Sequence, residues 1–346
     1  MVSVTRIAVD VMGGESGPSV IVPALLNCLS KHKSVEAILY GDLQEVALYL
    51  SLCHDQALLS RIELVHCEGE VLDTDKPSDV IRARTPSSMS LAVEAVAKKY
   101  ADACISAGNT GALMGLGLIN LRTLPGVSRP AICTTFPTIS GRSYVLDLGA
   151  NVECSPEQLH QFAILGSLTA HLLDDIKEPS VRLLNVGVEE GKGSNQLQRT
   201  ANLLSADPQL NYCGFVEGDG IFKGLANVVV CDGFAGNIAL KAIEGFAMMI
   251  ATILEDLLRS SWLARITLGI MSRSFEGLKH RLDPALYNGA YLLGLHGIVI
   301  KSHGSASKKA FENALEVAIE AAKHNLPKAL APLLTDKFRT NQKESV

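Results

Sequence analysis

The sequence predicts an α/β protein in which a mostly parallel sheet is covered by helices on both faces. Three observations carry this. Short apolar runs rich in Val and Ile recur through the 346 residues, each closing on Gly or a small polar residue ahead of a longer helical pattern. Glycines (29) and prolines (13) outnumber the aromatic residues, only 5% of the chain, a balance that suits many strand-to-helix turns better than an aromatic-rich sandwich. At 47% hydrophobic and 19% charged, the chain has apolar material for one large or two medium cores, which excludes disorder and a disulfide-held miniprotein.

In order, the runs are IAVDV (7–11), AILYG (37–41), IELVH (62–66), ACIS (103–106), YVLDLG (144–149), VRLLNVG (181–187) and NVVVCDG (227–233). In a parallel sheet the ligand crevice lies outside the carboxyl ends of the strands. The residues after the runs are polar: Asp10 with Gly13 and Gly14, Gly41-Asp42, Ser106 to Gly111, Asp147 to Asn151, Asn185 to Gly193, and Asp232 to Asn237. Turn chemistry explains any one of them. Together they are expected at the same end of the sheet, lining one crevice.

Ala103 to Leu121 carries no charge over 19 residues, long enough for a membrane span. Ser106, Asn109, Thr110, Asn120 and four glycines argue instead for a strand over 103–106 and a helix from near Gly111. Between Asn237 and Leu258 the residues Ile243, Phe246, Ile250, Ile253, Leu254 and Leu257 follow a helical stripe, and Asp283-Pro284 closes a second helical stretch. We expect a helical hairpin over 238–284 projecting from a single catalytic domain (1–335), its stripe serving as a core or dimer helix pair. Its tip, Trp262, Leu263 and Ile266, is apolar with basic neighbours, suiting an anionic membrane surface that it dips into without spanning. A polar tail is expected over 336–346.

A net charge of −5 supplies no global basic field for nucleic acid, so no nucleic-acid partner is expected and an acidic partner needs a local basic patch. The eight cysteines form no CxxC pair, and Cys104, Cys133 and Cys231 sit in apolar runs, as reduced thiols in a cytosol do. The start, MVSVTRIAVD, lacks the pattern of a signal peptide, so a cytoplasmic protein is expected.

No GxSxG elbow, HExxH pair or His/Cys cluster at ligand spacing is present, and GVEEGKGS (187–194) lacks the Walker register. What remains is a set of turns suited to anions. Lys192 lies between Gly191 and Gly193; Asn109 and Thr110 open a helix after Ser106; Gly236 and Asn237 close DGFAGN; and His303 sits in KSHGSAS. Bland readings stand beside these, a solvated lysine in a surface loop for the first and helix caps for the others. Phosphate turns without a covalent nucleophile suggest a substrate that brings its own. If phosphate attacks, the protein need only hold it in line and stabilise an oxyanion, with Lys192 and Asn237 as the catalytic pair.

Ten motifs in order from about Ile7 to Leu326, AVDVMGGESGP, SSM, SAGNTGALMG, RPA, LDLGANVEC, NVGVEEGKG, GFVEGD, CDGFAGNIALKAIEG, YNGAYLLG and KSHGSAS, resemble the bacterial acyl-carrier-protein:phosphate acyltransferase family. The resemblance implies a Rossmann-like three-layer α/β/α sandwich and a homodimer. It also implies a peripheral enzyme at the inner face of the cell membrane, moving a fatty acyl group from acyl carrier protein to inorganic phosphate for phospholipid synthesis. The acyl phosphate would pass to a downstream glycerol-3-phosphate acyltransferase, with no metal and no cofactor. By its motifs Lys192 neutralises phosphate and Asn237 orients the thioester carbonyl. Asp10, Gly13, Gly14, Ser106, Asn109, Thr110, Asn151, Gly191, Gly193, Gly236 and His303 then line the substrate and phosphate site. Arg265, Arg273, Lys279 and Arg281 on the hairpin offer the basic face that acidic carrier protein needs. Val11, Glu15, Val188 and the RARTP segment (82–86) depart from the family pattern, so Thr85 and Pro86 are left out of the site and an anion contact is kept open only at Arg84. The alternatives are a hydroxyacid dehydrogenase of the related isocitrate dehydrogenase-like fold, whose GxGxxG or metal-binding Asp cluster is not found cleanly, and a non-catalytic membrane-surface scaffold for carrier protein.

Overall fold

The computed structural model of the chain describes residues 4–83, 85–260 and 284–343. One sheet holds eleven strands: β1 (Thr5–Asp10), β2 (Val35–Gly41), β3 (Ile62–His66), β4 (Ala103–Ser106), β5 (Ala131–Thr138), β6 (Gly141–Leu146), β7 (Ser180–Leu184), β8 (Asn211–Val216), β9 (Val228–Val230), β10 (Ala290–Leu293) and β11 (Ile298–Lys301). The described helices are α1 (Pro18–Lys31), α2 (Leu43–Leu50), α3 (Gln56–Leu59), α4 (Pro77–Arg82), α5 (Ser88–Ala97), α6 (Thr110–Leu121), α7 (Pro156–Asp174), α8 (Asn195–Ala206), α9 (Gly218–Lys223), α10 (Gly233–Ser260), α11 (Lys308–Lys323) and α12 (Leu326–Lys343).

Side-chain alternation along β1 builds the two outer layers. Ile7 and Val9 face one core, with Leu25 of α1, Phe162 of α7, Phe311 of α11 and Leu330 of α12. Ala8 faces the other, with Met89 of α5, Leu113 of α6 and Ile221 of α9. The predicted α/β class with helices on both faces is therefore what the chain forms.

Across the sheet the order is β3-β2-β1-β4-β11-β10-β5-β6-β9-β7-β8. The first five strands run parallel to one another, as do the last four. Between them come three antiparallel pairings, β11 with β10, β10 with β5, and β5 with β6. Three reversals make the two parallel blocks run in opposite directions, which corrects the expectation that all six polar turns sit at the same end of the sheet. The turns after β1, β2 and β4 leave one way; those after β6, β7 and β9 leave the other. What brings them close is stagger. A single transverse row, Val9–Ile105–Ile300–Tyr291–Cys133–Leu146–Val230–Leu183, crosses eight strands, and strands of both blocks end within two residues of it.

Runs 62–66 and 103–106 form β3 and β4, and α6 follows β4 as the uncharged stretch predicted. The sequence did not flag β5, β8 or β10. In β8 a bulge at Gly214 (φ 82°) interrupts the alternation, since Val181 and Leu183 of β7 pair with Tyr212 and Phe215. The predicted polar tail is helical through Lys343, continuing α12 past Pro332. Of the predicted hairpin, the first helix begins at Gly233 rather than at 238. The tip residues Trp262, Leu263 and Ile266, the basic patch Arg265, Arg273, Lys279 and Arg281, and Arg84 lie outside the described residues.

Candidate active site

The turns after β1, β4 and β11 interlock. Asp10, at the end of β1, is buried, and its Oδ2 accepts a 2.6 Å hydrogen bond from the Ser106 hydroxyl. The Ser106 oxygen in turn accepts from the Gly108 N–H at 3.0 Å. Burial pushes the Asp10 carboxyl up, against hydrogen bonding that favours the ion. Among the described residues no hydrogen bond of ordinary geometry reaches its Oδ1 or the buried Ser88 hydroxyl. Gly13 and Gly14 serve loop packing: a Cβ on Gly13 would meet Asp10 Oδ2 and the Gly108 nitrogen, and one on Gly14 (φ 84°) would meet the Gly304 carbonyl. Glu15 N–H donates to that same carbonyl at 2.9 Å. Both glycines are thus required by the close approach of neighbouring segments to their α-carbons.

Asn109 caps α6 through its Oδ1, which accepts from Ala112 N–H at 3.0 Å. Its amide donates to the Asp73 and Asp75 carbonyls, so its polar atoms brace a loop rather than standing free for a substrate. Thr110, half-buried, begins the helix. Beyond Asp75 opens a hollow of about 570 Å³, lined by Glu70, Asp79, Ile81, Ser87, Leu116 and Asn120 among others.

On the other block, Asp147 follows β6 and organises its turn. One oxygen accepts from the N–H groups of Ile132, Gly149 and Ala150, the other from the N–H and the amide of Asn151. Burial still holds its carboxyl above the usual range. Asn151 spends its amide on Asp147 and the Pro130 carbonyl, and among the described residues its buried Oδ1 has no hydrogen-bond partner. The start of α10 rests on this turn: Gly233 N–H donates to Asn151 O at 2.8 Å, and a Cβ on Gly236 would collide with the Asp147 carbonyl. Asp232 caps the helix, accepting from Ala235 N–H at 2.8 Å. Asn237, exposed, then projects over Gly149, where even a Cβ would sit 3.4 Å from its side chain.

Lys192 lies in the turn after β7, next to β9 in the sheet. Asn185 holds that turn by donating to the Lys192 carbonyl at 3.0 Å. Gly191 (φ 91°) and Gly193 (φ 87°) take left-handed backbone, and a Cβ on Gly193 would strike Asn185. Gln196 reaches from α8 to the Cys154 carbonyl, joining this turn to the Asp147 loop. The Lys192 side chain is exposed, and among the described residues its ammonium has no partner.

The two blocks meet through α10. Asn237, Lys241 and Glu244 fall at i, i+4 and i+7, one face of the helix. Lys241 Nζ is 2.7 Å from His303 Nε2 and 2.9 Å from Glu244, which lies 3.5 Å from the same histidine nitrogen. Burial alone would raise the Glu244 carboxyl, but the bonds from His303 and Lys241 bring it below its ordinary value. His303 N–H donates to Asn288, whose amide holds Ser302 and the Ala310 carbonyl. Sequence reasoning missed Lys241, Asn288 and Lys301. A signal for Lys301 existed, a lysine closing an otherwise apolar strand.

The two thiols beside this site are inert. Burial pushes Cys154 up to about 12 and Cys231 well above its ordinary value, so neither supplies a thiolate near neutral pH. The arrangement can present a free cation and an amide to an external nucleophile and its electrophile.

A family model described as Fatty acid synthesis protein matches residues 5–329. The chain is 46% identical over 333 residues to the phosphate acyltransferase of Pseudomonas syringae pv. syringae (strain B728a), covering 96% of this chain and 97% of that one. To the phosphate acyltransferase of Methylococcus capsulatus it is 45% identical over 334 residues, 96% of this chain and 98% of that one. Among solved structures a phosphotransacetylase from Streptococcus pyogenes is similar, with a TM-score of 0.62 and 17% identity over 92% of this chain and 94% of that one, a likeness of fold.

Proposed function

The chain belongs to the phosphate acyltransferase family, and from that premise we propose that it transfers a fatty acyl group from acyl carrier protein thioester to inorganic phosphate. Phosphate attacks the thioester carbonyl, the C–S bond breaks, and the thiol leaves as acyl phosphate forms. Lys192 neutralises the incoming phosphate, and the Asn237 amide donates to the oxyanion that develops on the carbonyl.

One observation carries the reading. Lys192 and Asn237 follow adjacent strands, β7 and β9, paired through Leu183 and Val230, and both side chains are exposed. A cation and a hydrogen-bond donor closing neighbouring strands suit an acceptor that brings its own nucleophile.

The first 18 residues of α10, Gly233–Ile250, are long and apolar enough to cross a membrane. Lys241 and Glu244 within that stretch pair with His303, which supports a surface role instead. Phe234, Ile238, Phe246, Met249 and Ile253 leave an exposed apolar stripe along α10. That stripe supports our reading of a homodimer that touches the inner membrane face peripherally and hands acyl phosphate to a glycerol-3-phosphate acyltransferase.

Purified protein with acyl carrier protein thioester should release thiol only when phosphate is present. Lys192→Ala and Asn237→Ala should each lower kcat/KM by about a hundredfold, ~2.7 kcal/mol of barrier, with an unchanged circular dichroism spectrum. Thioester loss that ignores phosphate would overturn the proposal.

A further inference from the structure

We propose that Cys28, His32 and Glu316 form a binding site for a thiophilic divalent cation, Zn2+, which ties the C-terminal end of α1 to α11. The site lies apart from the transfer chemistry and does not depend on that reading.

Cys28 belongs to the last turn of α1 and His32 is the residue that closes the helix, four positions on, so the two side chains can meet on one face. From α11 comes Glu316, whose carboxylate is 2.7 Å from His32 Nε2. The Cys28 sulfur, a His32 ring nitrogen and a Glu316 oxygen all lie within 4.8 Å of one another, the one such group among the described residues. Around a tetrahedral Zn2+ with bonds of about 2.0–2.3 Å, ligand atoms stand about 3.3–3.5 Å apart. Shifts of about 1 Å in the His32 and Glu316 side chains, both partly exposed, reach that spacing. Water has access to the fourth position from the same side.

The donor set selects the ion. One thiolate, one imidazole and one carboxylate suit Zn2+, whereas Mg2+ and Ca2+ take oxygen ligands. Two anionic ligands cancel the charge of the cation, so no net charge is left at the edge of the core. The C-terminal end of α1 favours a cation as well.

Neighbouring polar groups are engaged elsewhere. Asn27 and Lys31 of α1 both bond Glu312, one turn before Glu316 on α11, at 2.8 and 3.2 Å. Arg61 donates to the carbonyls of Leu29, His32 and Val35. The charges facing Cys28 are Glu312 and Glu316 against Lys31 and Lys323, which balance. On binding, the Cys28 thiol gives its proton to solvent as the sulfur–zinc bond forms, and neutral His32 binds through Nε2 with its proton on Nδ1. Burial pushes that thiol up to about 12 in the metal-free chain, so displacing the proton makes the site weaker than one with a preformed thiolate.

α1 and α11 already share the core around Leu25, Phe311 and Leu315, and the cation adds a tie at their edge. Sequence reasoning passed over Cys28 and His32 because a pair at i and i+4 is no site until the fold delivers Glu316, 284 residues after His32.

The test is titration of the full chain, stripped with chelator, using Co2+ as a visible probe and Zn2+ as its competitor. Wild type should bind one equivalent with a sulfur-to-cobalt charge-transfer band that Zn2+ abolishes. Cys28→Ala should remove the band, and His32→Ala and Glu316→Gln should each weaken Co2+ binding by about tenfold or more. Cys53→Ser and Cys213→Ser, at partly exposed thiols elsewhere, should leave it unchanged. Zn2+ should raise the melting temperature of wild type but not of Cys28→Ala. A wild type without the band or without the melting rise overturns the inference, as does a Cys28→Ala protein that keeps either. Loss of the band in Cys53→Ser or Cys213→Ser overturns it too. If Cys28→Ala does not fold, His32→Ala decides, and wild-type Co2+ affinity in that variant overturns the site.

Discussion

Lys241 Nζ sits 2.7 Å from Nε2 of His303, and that contact ties a helix launched from one parallel block of the sheet to a turn ending the other. Because Asn237 is one helical turn before Lys241, the same contact sets the angle at which Asn237 stands over Gly149.

Lys241→Met should therefore lower kcat about tenfold, ~1.4 kcal/mol of barrier. Stability should change by less than ~1 kcal/mol, since exposed ion pairs contribute little. Turnover and urea unfolding of the same preparation check this. Wild-type turnover would show that Asn237 needs no such brace.

Two glycines of α10 should respond oppositely to alanine. Gly236 lies against the Asp147 carbonyl, where a Cβ has no room, so Gly236→Ala should cost ~1–3 kcal/mol or prevent folding. Gly245 faces open space and should gain about 0.5–1 kcal/mol as alanine. Denaturant midpoints measure both, and the same sign at both positions would contradict the packing described.

Cys154→Ala and Cys231→Ala should retain phosphate-dependent turnover, and rapid quenching of wild type should trap no acyl group on protein. Both thiols are held protonated by burial at the pH of the assay. Loss of turnover in a folded variant, or a labelled cysteine peptide, would argue for a covalent intermediate.

Asp10 is an acid raised by burial, so the folded chain holds its proton to higher pH than the unfolded chain does. Its contribution to stability is present at acid pH and lost as pH rises through the folded ionisation. Asp10→Asn should accordingly gain thermal stability over wild type at neutral pH, and the gain should shrink on acidification. Melting curves at both pH values test this; a pH-independent difference would place the cost elsewhere.

Much of the fold was legible from local pattern. The ACIS run becomes β4, and SAGNTG becomes a capped helix start, because strand period and Asn capping act over a few neighbouring residues. The candidate site was legible as a set of polar turns but not as a set of roles. Gly13, Gly14, Gly193 and Gly236 looked like room for an anion, yet each is small because another segment of the chain presses on it. Asn109 and Asn151 looked like substrate ligands, yet most of their polar atoms are taken by local backbone and Asp147. Lys301 and Asn288 escaped notice because their importance lies in partners such as Ala107 and Ala310.

Where the seven flagged strands begin and which residues close them are written in hydropathy and turn chemistry, and these survive into the folded chain almost unchanged. Strand direction is not written there: β5, with its Thr residues and Pro137, and four-residue β10 carry the reversals that turn one parallel block against the other. The row from Val9 to Leu183, and with it the approach of Asn237's helix to His303, exists only once those strands pair. Pairing is a long-range choice, made by burying both faces of the sheet at once, and no local window of residues contains it.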